Sequence, residues 1–121
     1  MSDCEHDCLR VFSFAGELLR SIRGEWRRPG GILCVRDRLY LTEYYDFDWD
    51  DDEEARPEGY SPEMARRVFV MTPAGEPLQT YAPELEAGRR LHDTMAVFGE
   101  NLVLQIVDLV DLPKLIALKG L

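Results

Sequence analysis

The sequence predicts an all-β fold, an antiparallel meander laid down twice along a single domain. Three observations point there: short β-rich runs, turn formers between them, and two phrases, Arg-Val-Phe and Ala-Gly-Glu, that occur once in each half. At 121 residues the chain has room for about one domain, and an apolar fraction of 45% with two Trp, five Tyr and five Phe supplies a core. Residues 1–8 read as a flexible N-terminus. Residues 9–121 read as a single β-repeat domain carrying an acidic loop at 44–66.

The elements follow in order. Residues 9–14 put Leu9 and Val11 on one side and Arg10, Phe12 and Phe14 on the other, then stop at Ala15-Gly16. Leu18–Ile22 is the second arm of a hairpin across that glycine-bearing turn. Residues 23–31 hold one Pro and three Gly in nine positions and form a loop. Residues 32–35 are a short apolar strand, 36–38 a polar turn, and 39–43 the returning strand. From Tyr44 to Arg66 alternation ceases, and Pro57, Gly59 and Pro62 mark a long, solvated loop in which residues 62–67 can form one helical turn. Val68–Met71, a turn at 73–76 and residues 78–81 restore strand character. Residues 83–90 are again a loop. Residues 94–98 and 102–107 form a hairpin about a turn at 99–101, and a link through Pro113 leads to the apolar run 115–118.

Residues 10–22 (RVFSFAGELLRSI) and 67–81 (RVFVMTPAGEPLQTY) align with a two-residue insertion between the shared phrases. In each half the order is strand pair, Gly or Pro loop, strand, polar turn, and a strand opening on Leu39 or Leu102. Val11 and Val68 stand 57 residues apart, more than the roughly 40 to 50 of most propeller repeats. The acidic excursion supplies the surplus.

This pattern resembles the NHL-type β-propeller repeat, on the strand pair 10–22, on Pro29-Gly30-Gly31-Ile32, and on Leu39-Tyr40-Leu41-Thr42-Glu43. The resemblance covers about residues 9–45 and, more loosely, 66–118. Where the family ends the last strand in an Asp-led turn, Thr42-Glu43-Tyr44 runs into the acidic loop, and the second copy has Arg90-Leu91-His92-Asp93 in place of Pro-Gly-Ile. The resemblance implies two propeller-like blades of an incomplete propeller. In function it implies a scaffold for protein or RNA contacts, occasionally with a metal-assisted lyase or hydrolase site. Closure needs at least four blades, so the exposed edges imply a longer chain, several copies, or sheets packed as a small sandwich.

The net charge of −9 comes from 23 acids against 14 bases, which disfavours a nucleic-acid partner. Seven of the acids lie between Asp46 and Glu54; without them 16 acids face 14 bases, a net −2. One segment thus carries the charge and suits a basic protein partner. No apolar run is long enough to span a bilayer, so no membrane contact is expected. Cys4, Cys8 and Cys34 cannot all pair within the chain, and no secretory signal opens it, which makes the cytoplasm the expected compartment.

Candidate functional residues are few. Trp26, Arg27 and Arg28 share one loop, and Trp with Arg is the pairing enriched at interface anchors; the other reading is that the arginines answer the acidic loop. Asp46, Asp48 and Asp50 alternate like the start of a calcium loop, yet its sixth position is Asp51 instead of Gly and its twelfth is Pro57 instead of Glu. They are expected to be a solvated partner-binding surface. Cys4, His6 and Cys8 lack zinc-site spacing, and Cys34 reads as a small buried apolar residue. His92-Asp93 has no nucleophile elbow beside it. The expected function is a non-enzymatic binding or scaffold module without metal or cofactor. The alternative is a fragment of a propeller hydrolase or lyase that holds a metal on the repeat axis and depends on His92.

Overall fold

The computed structural model describes residues 2–3, 7–107 and 114–119. The fold is all-β. Strands β1 (Ser2–Asp3), β2 (Cys8–Phe12), β3 (Leu18–Ile22), β4 (Pro29–Val35) and β5 (Arg38–Glu43) precede a helical turn α1 (Asp48–Asp51) and a 3₁₀ turn (Glu53–Ala55). Then come β6 (Val68–Met71), β7 (Pro77–Tyr81), β8 (Arg90–Phe98), β9 (Asn101–Val107) and β10 (Lys114–Lys119). All pairings are antiparallel, in three sheets: β1-β2-β3, the four-stranded β4-β5-β6-β7, and β8-β9-β10.

The central sheet is packed on both faces. Leu41, Phe69 and Met71 meet Leu9, Ile22 and Trp26 of the first sheet and the loop after it, while Tyr40, Val68 and Val70 meet Leu91, Leu102 and Leu104 of the third. This explains why Val68–Met71 is an unbroken apolar run where an exposed strand would alternate. Each such side chain contributes about 1.5–3 kcal/mol by leaving water.

The sheets do not coincide with the units read from the sequence. A unit of strand pair, loop and strand pair straddles two sheets, because β3 leaves the first sheet and β4 opens the second. Between them the loop buries Trp26, and Arg28 adopts a left-handed φ of 45° that redirects the chain. The acidic excursion, expected between two units, lies inside the central sheet: β6 returns to pair with β5, Leu39 opposite Met71. Long insertions are tolerated this way because loop-closure entropy grows only with the logarithm of length.

The repeat itself has a different register from the one the phrases suggest. Leu9 pairs with Ile22 and Val68 with Tyr81; Phe12 pairs with Leu18 and Met71 with Pro77; the ladders bulge past Leu19 and Leu78 respectively. The two turns match bond for bond. Ser13 N–H donates to Glu17 O (2.8 Å) as Thr72 N–H does to Glu76 O (2.9 Å), and the Ser13 and Thr72 hydroxyls each accept the corresponding Glu N–H at 3.1 Å. Equivalent residues in the hairpins are therefore 59 apart with no insertion, and the Arg-Val-Phe match is displaced by two. A shift of two preserves which face each side chain occupies, so the misaligned phrase still points the right way.

Two further expectations change. Cys8, placed in a flexible N-terminus, is fully buried at the head of β2, beside which Ser2 and Asp3 pair. Cys34, expected in the core, is exposed, since alternation along β4 turns Leu33 and Val35 toward the third sheet and Cys34 away from it. Cys4, His6 and the link at 108–113 lie outside the described residues.

Gly16 and Gly75 occupy the same turn position with φ of 87° and 93°. A Cβ on Gly75 would stand 2.5 Å from Ile22 Cγ2, whereas one on Gly16 meets nothing within 4 Å. Gly75→Ala is expected to cost about 2–3 kcal/mol and Gly16→Ala, with backbone strain alone, about 1 kcal/mol. Urea denaturation of both variants checks this; equal losses would contradict the close packing of the first hairpin on this turn.

Candidate functional site

The tight turns at 13–17, 36–37, 72–76 and 99–100 lie at one end of the sheets, and the loops 23–28, 44–67 and 82–89 gather at the other. Glu43 joins the first two of those loops. It ends β5 with its side chain fully buried; Oε2 accepts the Arg27 N–H (2.7 Å), and Oε1 accepts the Ala65 N–H (3.3 Å) and the Arg67 guanidinium (3.3 Å). The buried carboxylate thus ties the start and finish of two loops through charge-assisted bonds. Next to it, Arg66 donates to the carbonyls of Leu85 (2.8 Å), Glu86 (3.3 Å) and Arg89 (2.8 Å), and the Leu91 N–H donates to Ala65 O at 2.6 Å. The excursion is stitched to both neighbouring loops.

Its middle folds on aromatic rings. Trp49, buried at 5% exposure, makes edge-to-face contacts with Tyr44, Tyr45 and Tyr60 at 5.9, 5.1 and 6.3 Å. Three guanidinium groups lie against this cluster: Arg28 5.5 Å from the Trp49 ring, Arg56 4.5 Å from Tyr60, and Arg90 4.3 Å from Tyr45. Cation–π contacts are worth about 0.5–1 kcal/mol at exposed sites and about 2 kcal/mol or more when desolvated. Arg56 Nε also donates to Trp49 O at 2.7 Å. The lobe is therefore folded about the buried Trp49, while residues 50–55, 58, 59, 62 and 63 are exposed, as the expected solvated loop requires.

The acids divide by task. Asp46 is half-buried and its carboxylate accepts the Asp48 N–H at 2.9 Å, opening α1; Asp52 does the same for Glu54 N–H at 3.0 Å, opening the 3₁₀ turn. Asp50 accepts a short hydrogen bond from the Tyr45 hydroxyl and lies 3.9 Å from the Arg90 guanidinium. Asp48, Asp51, Glu53 and Glu54 are exposed. Among the described residues no group of three or more His, Cys, Asp or Glu is placed to hold a metal ion.

The Trp26-Arg27-Arg28 set separates. Trp26 is 3% exposed and belongs to the core with Leu9, Ile22, Leu41, Phe69 and Met71, so its indole is not presented to a partner. Arg27 is exposed and engages Glu43 through its backbone; Arg28 gives its N–H to Asp7 Oδ1 (2.5 Å), takes the Tyr44 N–H on its carbonyl (2.7 Å), and supports the lobe through Trp49. Arg28 answers the acidic segment through its rings. His92 is exposed, and its Nδ1 accepts the Thr94 N–H (3.1 Å), which leaves the proton of a neutral imidazole on Nε2. It borders a cleft of about 130 Å³ with Tyr45 and Arg90.

Glu43, Tyr45, Arg66, Arg67 and Arg90 escaped the sequence reading. A lone carboxylate closing the apolar strand Leu39-Tyr40-Leu41-Thr42 was the available signal for Glu43, since a charge there must find partners when the strand is buried.

Burial pushes the Tyr45 phenol well above the ordinary tyrosine value, helped by its hydrogen bonds to Asp50 and Tyr60 and opposed by the Arg90 charge. The native state keeps this proton where the unfolded chain releases it. The contribution is thus complete below about pH 10 and is lost as pH rises further. Stability of the wild type is expected to fall more steeply than that of Tyr45→Phe between about pH 9 and 11 in urea titrations; parallel curves would contradict the raised value of the half-buried phenol.

No helix of the described residues is long and apolar enough to cross a membrane. Compared with known protein families, curated proteins and solved structures, the chain matches none.

Proposed function

We propose that this chain is a non-enzymatic, β-propeller-like binding module of the NHL kind whose contact surface is the acidic lobe at the loop end, and whose partner is a basic protein segment. The observation that supports this reading is the division of labour within residues 44–66. Aromatic rings and arginines hold the lobe from beneath, and Asp48, Asp51, Glu53 and Glu54 are exposed, Glu53 with the Arg56 guanidinium 3.9 Å away. A prefolded surface avoids the ordering cost that a flexible acidic tail meets on binding. Clustered charge of one sign accelerates encounter with a partner of the other. Cys8 and Cys34 are both free thiols, in keeping with a reducing, cytoplasmic setting.

The test uses the full chain and a lysine- and arginine-rich peptide as probe, with Trp49 fluorescence or calorimetry as readout. Asp48→Asn, Asp51→Asn, Glu53→Gln and Glu54→Gln are combined, leaving Asp46 and Asp50 to hold the lobe. Four exposed charges at a few tenths of a kcal/mol each predict a loss of about tenfold in affinity and a flatter salt dependence. Unchanged affinity, or no affinity for the peptide at low salt, would overturn the reading.

A further inference from the structure

The internal repeat gives each exposed position a buried counterpart, and that comparison identifies two matching faces. In the central sheet Leu33, Tyr40 and Val70 form one cross-strand row; in the third sheet the corresponding row is Ala96, Val103 and Ala117, in the same register. By the same register Val35 corresponds to Phe98 and Val68 to Leu115. Tyr40, Val68 and Val70 are 0–3% exposed because the third sheet covers them. Phe98 is 66% exposed and Leu115 76%. Among the described residues nothing covers this face.

The first sheet shows the complementary condition. Phe12 corresponds to Met71, which is 3% exposed and meets the preceding sheet, yet Phe12 is 43% exposed and its partner Leu18 is 50% exposed. The turn glycines report the same gap. Gly75 has Ile22 of the preceding hairpin against it, and Gly16 has nothing. Guanidinium groups bridge the turns between successive sheets, Arg20 to Pro73 O at 2.8 Å and Arg36 to Gly99 O at 3.4 Å. One mode of packing is therefore used twice inside the chain, first sheet to second and second to third, and both halves of a third use are left open.

We propose that the outward face of the third sheet, Phe98, Val103 and Leu115, receives the outward face of the first sheet, Phe12 and Leu18, of a second copy of this chain. The contact is head to tail and uses two different surfaces, so it builds a ring if the rotation closes and a filament if it does not. The occupant is a second copy because the chain itself carries the surface that this packing mode calls for. Corresponding positions place Phe98 against Phe12, as Val35 shares a cluster with Leu118, the third-sheet counterpart of Met71.

Light scattering and sedimentation of the full chain test this. The wild type is expected above the 13.9 kDa of one copy, in a concentration-dependent series. Phe98→Glu and Phe12→Glu, both at exposed positions, are each expected to reduce it to single copies with unchanged far-ultraviolet circular dichroism. Mixed in equal amounts, the two variants retain one intact face of each kind and are expected to form a dimer that grows no further. A wild type that stays monomeric at every concentration, or oligomers that survive either variant, would overturn the proposal. So would a mixture that remains monomeric although each variant is folded.

Discussion

Glu43→Ala is expected to lower the unfolding free energy by about 3–5 kcal/mol, the largest loss of any single polar substitution in the molecule. The carboxylate is fully buried and accepts three donors from two separate segments, Arg27 in one and Ala65 and Arg67 in the other. Removing it strands two backbone N–H groups in a closed site and leaves the Arg67 guanidinium, 31% exposed, without its partner. Glu43→Gln keeps the shape but turns an amide N–H₂ toward one set of donors, so about half the loss is expected. Urea denaturation with an unchanged slope is the measure. Hydrogen exchange should quicken first at Ala65 and Arg27. A loss below about 1 kcal/mol for Glu43→Ala would show that the loops are held by other means.

Trp26→Ala is expected to cost about 3–5 kcal/mol, because the indole fills the space between the first and central sheets and the void cannot close around so large a deletion. Trp26→Phe should recover roughly half by refilling part of that volume. The effect should be uneven. Of the described residues the first sheet contributes only Leu9, Val11 and Ile22 to this cluster, so β2 and β3 should lose exchange protection before β5 and β6, which are also held from the other side. A surface anchor would behave differently: binding would fall while stability held. Stability within about 1 kcal/mol of wild type would refute the core role.

Strand positions were legible because period-2 alternation and turn chemistry are local. Leu18–Ile22 and Val68–Met71 were read to the residue, and the other strands to within a few positions at their ends, except β1, which fell in the segment expected to be flexible. The β8 start was read late because Arg90 and His92 are polar, and the strand begins where Arg90 pairs with Val107 and Leu91 with Ile106, ahead of an irregularity between Leu91 and Met95. The acidic lobe was half legible. Its charge was plain, but a floor of Tyr44, Tyr45, Trp49 and Tyr60 cannot be inferred where no periodicity links the rings.

The sequence alone determined the all-β class, the hairpins and the existence of an internal repeat, since each rests on contacts between residues near one another in the chain. Only the tertiary structure decided where one sheet ends and the next begins, that the strands flanking the turns share the turns' spacing of 59 residues, that Trp26 faces inward, and that Glu43 gathers two loops. The physical reason is the same in each case. A strand's alternation states which side chains share a face, and it is silent on which other sheet that face will meet.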